Sequence, residues 1–422
     1  MITRVEADYL IETAGDPRKV AEVMAGEQSS GTFVSVPGET PELKARAAAR
    51  VEAVELLGDS DIAALPGARP GERYTRAKVT LSWPFETIGP SLPHLSIVVA
   101  GNLFELKDFS GLRLDDIRLP DSFSDAGPGP RFGIEGTRQL TGVEGRPLIG
   151  TIVKPSVGLT AEDTADMAQM LAEAGLDFIK DDELQADGPS CPFNDRVDAV
   201  MARLRAHAER SGKMVMYAFN LTGTVDEMRR RHDHVLEAGG TCVMACLNAV
   251  GLTGFQALAD HSQLPVHAHR AGWGALTRHP ALGWSFPAWS KLWRLAGADH
   301  IHVNGIDNKF CEDNDSVIRS ARSCADPVTS SKPAICMPVF SSGQTPAQVP
   351  QTYAAVDPSG LRNRLRAIPG HCASAWEMAR AFTLPDEWSS SSKVVIGGMG
   401  GSAMAGDLTA DLALALTGSF SV

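Results

Sequence analysis

The chain has 422 residues, a formal net charge of −12, and 43% hydrophobic and 21% charged residues. That length exceeds one small core and calls for a barrel-sized domain plus a smaller one, and the acidic balance argues against nucleic acid or an anionic membrane as partner. Seven scattered cysteines (191, 242, 246, 311, 324, 336 and 372), no signal peptide and no apolar run of membrane-spanning length point to a reducing, cytoplasmic setting without disulfides.

Residues 1–135 read as α+β. Segment 5–10 alternates as a strand, 17–26 is a short helix and 31–36 is β-rich. Segment 42–57 is helical in composition, and 75–84 and 95–103 read as strands. Asp125-Ala-Gly-Pro-Gly-Pro130 is a Gly/Pro-dense linker and the natural domain boundary. Glu27 precedes a Ser-Ser-Gly-Thr32 turn and Asn102 follows a glycine; taken alone, both are cap or turn residues.

From about residue 145, short apolar strands alternate with amphipathic helices. Strands are expected at 147–154, 176–180, 214–219, 241–247, 264–269, 300–303 and 335–340. Helices lie between them, as at 161–174 and at 224–238, the latter with Thr224 as N-cap. Seven such units indicate an α/β fold, a (β/α)₈ TIM barrel whose last unit still has to be found. Cys242 and Cys246 fall inside a buried strand and read as core thiols rather than a zinc pair.

Polar residues crowd the C-terminal ends of these strands, the face where barrel enzymes assemble their sites. The second strand runs Phe178-Ile-Lys-Asp-Asp-Glu183, with Phe178 and Lys180 on one face and Asp177 and Ile179 on the other. Carboxylate oxygens suit Mg²⁺. An ammonium beside them repels a cation, so Lys180 becomes a ligand only if its charge is lost, for instance as a carbamate formed with CO₂. A solvated charge cluster is the plainer alternative for this strand alone. The other ends read Lys154-Pro-Ser156, His267-Ala-His269-Arg270, His300-Ile-His302 followed by Asn304, Gly305 and Lys309, and Ser341-Ser-Gly343. A single polar strand end is usually structural; five together mark an active site.

These stretches resemble the RuBisCO large-chain superfamily: Gly150-Thr-Ile-Val-Lys154-Pro, Gly175-Leu-Asp-Phe-Ile-Lys-Asp-Asp-Glu183, His267-Ala-His-Arg270, Asp299-His-Ile-His302 and Ser341-Ser-Gly343. Glu27-Gln-Ser-Ser-Gly-Thr32-Phe33 and Gly101-Asn102 resemble its N-terminal domain, so the likeness spans about 1–355. It implies that carbamylated Lys180, Asp182 and Glu183 hold Mg²⁺, which would polarise the substrate and steady an enediolate. Lys154 would handle protons, and His269 would contact substrate oxygens. Arg270, His302, Ser341 and Gly343 would bind substrate phosphate, and Lys309 would be the mobile lysine after the sixth strand. Glu27, Thr32 and Asn102 would reach into a neighbour's site, which implies a homodimer with shared sites.

The departures narrow the function. Ser156 stands where the carboxylating enzymes carry a second lysine, Ile152 replaces a threonine and Phe33 a tryptophan. The loop Gly305-Ile-Asp-Asn-Lys309 replaces a glycine-rich lid. The resemblance is therefore to RuBisCO-like (form IV) proteins of the non-photosynthetic branch. It implies Mg²⁺-dependent decarboxylation of a small phosphorylated sugar acid of the 3-oxo-isoapionate-4-phosphate type, not CO₂ fixation. The alternatives are enolisation or isomerisation of a 2,3-diketo-5-methylthiopentyl-1-phosphate type substrate, ribulose-bisphosphate carboxylase activity, and an inactive scaffold.

The family pattern stops after 356. Residues 357–422 resemble the start of a sugar-isomerase (SIS) domain of phosphoglucose/phosphomannose isomerase type, with Gly400-Gly-Ser402 opening a phosphosugar turn. Domains are accordingly placed at 1–135, 136–356 and 357–422, with a barrel lacking its native eighth unit unless 394–396 and the following helix dock into the gap.

Overall fold

The computed structural model describes residues 3–31 and 36–356. Strand β1 (Arg4–Thr13) turns Val5, Ala7, Tyr9 and Ile11 into the core, the period-two pattern of a half-buried strand. Asp16 caps the helix Pro17–Glu27 through the Lys19 amide. Then come β2 (Arg50–Ser60), β3 (Tyr74–Pro84) and β4 (Gly111–Arg118). β1 lies between β3 and β4, antiparallel to both, with β2 at the edge beyond β3.

Two sequence expectations fail in this half. Segment 42–57 is not one helix: a helix covers Pro41–Ala47, and the chain then becomes β2. β2 pairs on one side only, carries two register shifts and is largely exposed, so its apolar residues never show the alternation of a packed strand. Segment 95–103 is not a strand but the end of a helix, Leu92–Ala100. Ser91 accepts from the His94 amide and Pro93 occupies the first turn; these start signals outweigh the β-branched run at 97–99.

On the face of β1 away from the core, Asp8 accepts two bonds from Arg118 at 2.7 and 2.8 Å and one from Thr80 at 2.8 Å. Burial alone would raise its pKa; Arg118, Thr80 and Lys78 together bring it down to about 2. A folded-state pKa below the unfolded one stabilises the fold above the unfolded pKa and is lost as pH falls through the folded one. Asp8→Asn is therefore expected to lose roughly 1–2 kcal/mol at pH 7, allowing for the half-exposed guanidinium. Urea midpoints of the two proteins should converge as pH drops toward that of the folded carboxyl; a gap unchanged with pH would refute the assignment.

The second sheet is parallel. It comprises β5 (Gly150–Ile152), β6 (Phe178–Lys180), β7 (Met216–Asn220), β8 (Cys242–Cys246), β9 (Val266–His269), β11 (His300–His302) and β12 (Met337–Val339). All seven expected strands are present among the described residues, in order, each pairing with its neighbour over a shorter core. Helices intervene as the periodicity requires, and Thr160 and Thr224 each form a capping box at the start of Ala161–Glu173 and Val225–Glu237. One excursion was not legible: β10 (Leu282–Trp284) leaves the barrel and pairs with β4, Leu282 opposite Leu112. It makes the β-sheet of the first half continuous with a barrel loop.

The glycine/proline linker is anchored rather than loose. Buried Asp299, ahead of β11, accepts the amides of Phe132 at 2.6 Å, Gly133 at 2.8 Å and Val266 at 2.8 Å. Gly127 passes so close to the Leu295 carbonyl that a Cβ would collide with it. The segments read as a sugar-isomerase start and as a docked eighth strand lie outside the described residues.

Candidate active site

Alternation along β6 decides which charges meet. The ring of Phe178 points into the barrel against His267 (5.2 Å) and His300 (6.0 Å). Lys180 follows on the same face and is 6% exposed. Asp177 and Asp181 point the other way. Asp177 pairs with Arg146 and Lys213. Asp181 is held by Arg196 at 3.2 Å, the Tyr217 hydroxyl at 2.7 Å and the Asn220 amide at 2.9 Å.

Lys180 Nζ donates to the Asp181 carbonyl at 2.9 Å. Burial lowers its pKa, opposed by the charges of Glu183, Asp182 and Asp181. Among the described residues no carboxylate lies within ion-pair distance of this amine, because each is aimed elsewhere. Asp182 takes Lys154 Nζ at 2.6 Å and the Leu184 amide at 3.0 Å. Burial works to raise the Asp182 pKa, yet Lys154, that amide and Ser156 hold it below its ordinary value. Lys154, from the loop after β5, also donates to Ser156 Oγ at 2.7 Å. Glu183 Oε2 stands 3.6 Å from His269 Nε2. The Ala271 amide donates to His269 Nδ1 at 3.2 Å, so the ring proton sits on Nε2, facing that carboxylate. Burial, then Lys180, pushes the His269 pKa down to about 3.

Lys154, Lys180, Asp182, Glu183, His269 and His302 thus form one cluster at the C-terminal mouth, His302 joining through ring contact with His269 at 4.5 Å. Arg270 is anchored beside it: Nη2 donates to Glu312 at 3.0 Å, while Nη1 is buried without a hydrogen-bond partner among the described residues. Glu312 also accepts from Asn304 at 2.6 Å and Ser316 at 2.9 Å, and Ser342 donates to Asn304 at 2.7 Å. Ser341 lies 3.5 Å from Ser342, hydroxyl to hydroxyl. Lys309 is exposed over the Phe310 ring at 5.4 Å, its stem against Gly343. Glu27 and Asn102 lie in the first half, on neighbouring turns where Gln28 packs against Gly101; neither hydrogen-bonds a barrel residue among those described. Thr32 lies outside the described residues.

Sequence reasoning missed Glu312, the counter-ion that orients Arg270, and Cys246, whose Sγ lies 4.0 Å from His269 Nδ1. Neither has a spacing signal, since each meets its partner only through the barrel.

The donor set fits a hard cation. Asp182 and Glu183 supply oxygens, and a buried lysine of lowered pKa supplies an amine able to take up CO₂. A second group also places ligand atoms together: those of His232, Asp233 and His261 lie within 4.8 Å of one another. There the Gln263 amide donates to His232 Nε2 at 3.1 Å, which puts the His232 proton on Nδ1, facing Asp233 at 3.0 Å. A cation would meet that N–H, so this trio is a staple between two helices, not a metal site.

The sequence profile for the ribulose bisphosphate carboxylase large chain, N-terminal domain, matches residues 7–123, and that for its catalytic domain matches 133–375. The chain belongs to the RuBisCO large-chain family. Within it, the chain is 55% identical to a 3-oxo-isoapionate-4-phosphate transcarboxylase/hydrolase of Xanthobacter autotrophicus over 92% of this chain and 96% of that one. It is 44% identical to a 3-oxo-isoapionate-4-phosphate decarboxylase of Rhizobium rhizogenes over 88% and 92%. The crystal structure of a rubisco-like protein from Burkholderia fungorum superposes with a TM-score of 0.79 at 46% identity, covering 84% of this chain and 86% of that one. This RuBisCO-like chain is an enzyme of the branch that does not fix CO₂. The catalytic-domain match runs on to residue 375, beyond the break expected at 356, and the sugar-isomerase likeness of the tail is not borne out. No helix among the described residues is long and apolar enough to cross a membrane.

Proposed function

We propose that the enzyme removes the carboxyl group of a 3-oxo-4-phospho sugar acid of the isoapionate type, with Mg²⁺ held by carbamylated Lys180, Asp182 and Glu183. The observation that carries this reading is the buried Lys180 amine, 6% exposed, on the strand end that continues into Asp182 and Glu183 at the mouth of the barrel. In a β-keto acid the C–C bond to the carboxyl breaks with its electron pair passing to the ketone oxygen, which leaves CO₂ and an enolate. A bound Mg²⁺ supplies positive charge where that oxygen charge develops. Lys154, which donates to Asp182 and Ser156, would return a proton to carbon. Arg270, His302, Ser341 and the Gly343 backbone hold the phosphate, with Lys309 closing from the loop after β11. His269, neutral and donating from Nε2, meets a substrate oxygen. Glu27, Thr32 and Asn102 complete the site of a second copy in a homodimer, which sedimentation would reveal.

The higher identity to the transcarboxylase/hydrolase favours a second fate for the enolate, recapture of the carboxyl followed by hydrolysis. Substrate labelled with ¹³C in its carboxyl separates the readings. Labelled CO₂ released only with Mg²⁺ supports decarboxylation, and label retained in a smaller acid supports transfer. Substrate recovered intact would overturn both readings.

A further inference from the structure

Two ring contacts inside the barrel fix the positions of protons. Thr137 Oγ1 gives its single proton to the Gly133 carbonyl at 2.5 Å, so at its 2.7 Å contact with His300 Nε2 it accepts. His300 is therefore the Nε2–H tautomer, and its Nδ1, buried without a hydrogen-bond partner among the described residues, is a bare lone pair. The second contact joins His267 Nε2 and His302 Nε2 at 2.7 Å. Both rings are neutral, because burial holds their pKa values well below the ordinary one. One proton must lie between them, and it has two possible owners.

His267 is fully buried and its Nδ1 has no hydrogen-bond partner among the described residues. Were His302 the donor, His267 would carry its own proton on Nδ1, a buried N–H with nothing to receive it. Such a group bears its full desolvation penalty, and orphaned donors are rarer in proteins than unused lone pairs. Were His267 the donor, its Nδ1 is a lone pair, as His300 shows to be tolerated a strand away. His302 then has its proton on Nδ1. Since His267 occupies Nε2, Nδ1 is the only polar side-chain atom that His302, 6% exposed, can offer a ligand.

We propose that His267 is a positioning residue: by donating from Nε2 it holds His302 as the Nδ1–H tautomer, an uncharged donor at the site. The identity of the acceptor, a phosphate oxygen, rests on the function proposed above; the tautomer does not. A lone pair at that atom would repel a phosphate oxygen, whereas an N–H binds it. The positive charge that phosphate needs then falls to Arg270 and Lys309.

The test uses the full chain labelled with ¹⁵N-histidine, in which long-range ¹H–¹⁵N correlations separate the two tautomers, and inorganic phosphate as the probe. His302 is expected as Nδ1–H in the native protein. His267→Gln, whose amide can still donate, keeps that tautomer and binds phosphate within about twofold of the native protein, whereas His267→Met releases His302 to Nε2–H and weakens phosphate about tenfold. A native His302 found as Nε2–H, or the same tautomer in all three proteins, overturns the proposal. Should His267→Met fail to fold, the native spectrum decides through His267 itself: as the donor across the 2.7 Å contact it must be Nε2–H while His302 is Nδ1–H, and His267 found as Nδ1–H overturns the proposal. An Nδ1–H signal that phosphate does not move upholds the positioning role and counts against the phosphate reading instead.

Discussion

Replacing Lys180 with methionine is expected to lower Mg²⁺-dependent turnover by at least about 10³-fold, the scale of losing a principal electrostatic element of a site, while leaving the unfolding midpoint unchanged or raised. The two halves of this expectation have one cause. Lys180 is buried, its one hydrogen bond among the described residues goes to the Asp181 carbonyl, and Asp182 and Asp181 are satisfied by other partners. A polar group so placed contributes little to stability, and an apolar side chain of similar shape replaces it at little cost. Its retention makes sense as chemistry. Activity assays with and without bicarbonate, together with thermal unfolding, separate the roles. A methionine variant that turns over like the native enzyme, or one that unfolds well before it, would show the amine to be structural.

Strand β6 shows what could be read from sequence. Period-two alternation alone sent Phe178 and Lys180 to one face and Asp177 and Ile179 to the other, and the structure has Phe178 against the interior histidines and Asp177 outside with Arg146 and Lys213. The same alternation holds on the neighbouring strands, where His267 with His269 and His300 with His302 turn inward, because parallel strands in register turn alternate residues inward together. Local rules were enough here, since each strand of a parallel barrel is built alike and its chemistry gathers at one end.

What could not be read depends on partners far away in the chain. β2 looked helical because an exposed edge strand has no burial period to display, and 95–103 looked like a strand because three β-branched residues masked a helix whose start signal lies at Ser91. β4 went unread, and β10 was unforeseen because this three-residue segment is a strand only by pairing with β4, far away in the chain. Glu312 lies 42 positions from the guanidinium it orients. Asp181 was read with Asp182 and Glu183 as part of one acidic run; only the structure shows that it faces away and serves a different purpose.

That purpose yields the largest stability effect. Arg196 is fully buried, donates to Asp181, to the Cys191 carbonyl at 3.1 Å and to the Ala186 carbonyl at 2.7 Å, and lies 5.2 Å over the Phe193 ring. It ties the back of the β6 end to the loop that follows it. Arg196→Met strands a buried carboxylate, and removing one partner of such a pair costs roughly 3–5 kcal/mol. Removing the charge of the other partner as well should recover part of this loss, so Arg196→Met combined with Asp181→Asn is expected to be more stable than Arg196→Met alone. Urea unfolding of the two variants measures the coupling. Because Asp181 sits between Lys180 and Asp182, the single variant should also weaken Mg²⁺ binding by letting that strand end shift. A single variant within about 0.5 kcal/mol of the native protein, the range of an ordinary surface change, would mean that Tyr217 and the Asn220 amide satisfy Asp181 without the guanidinium.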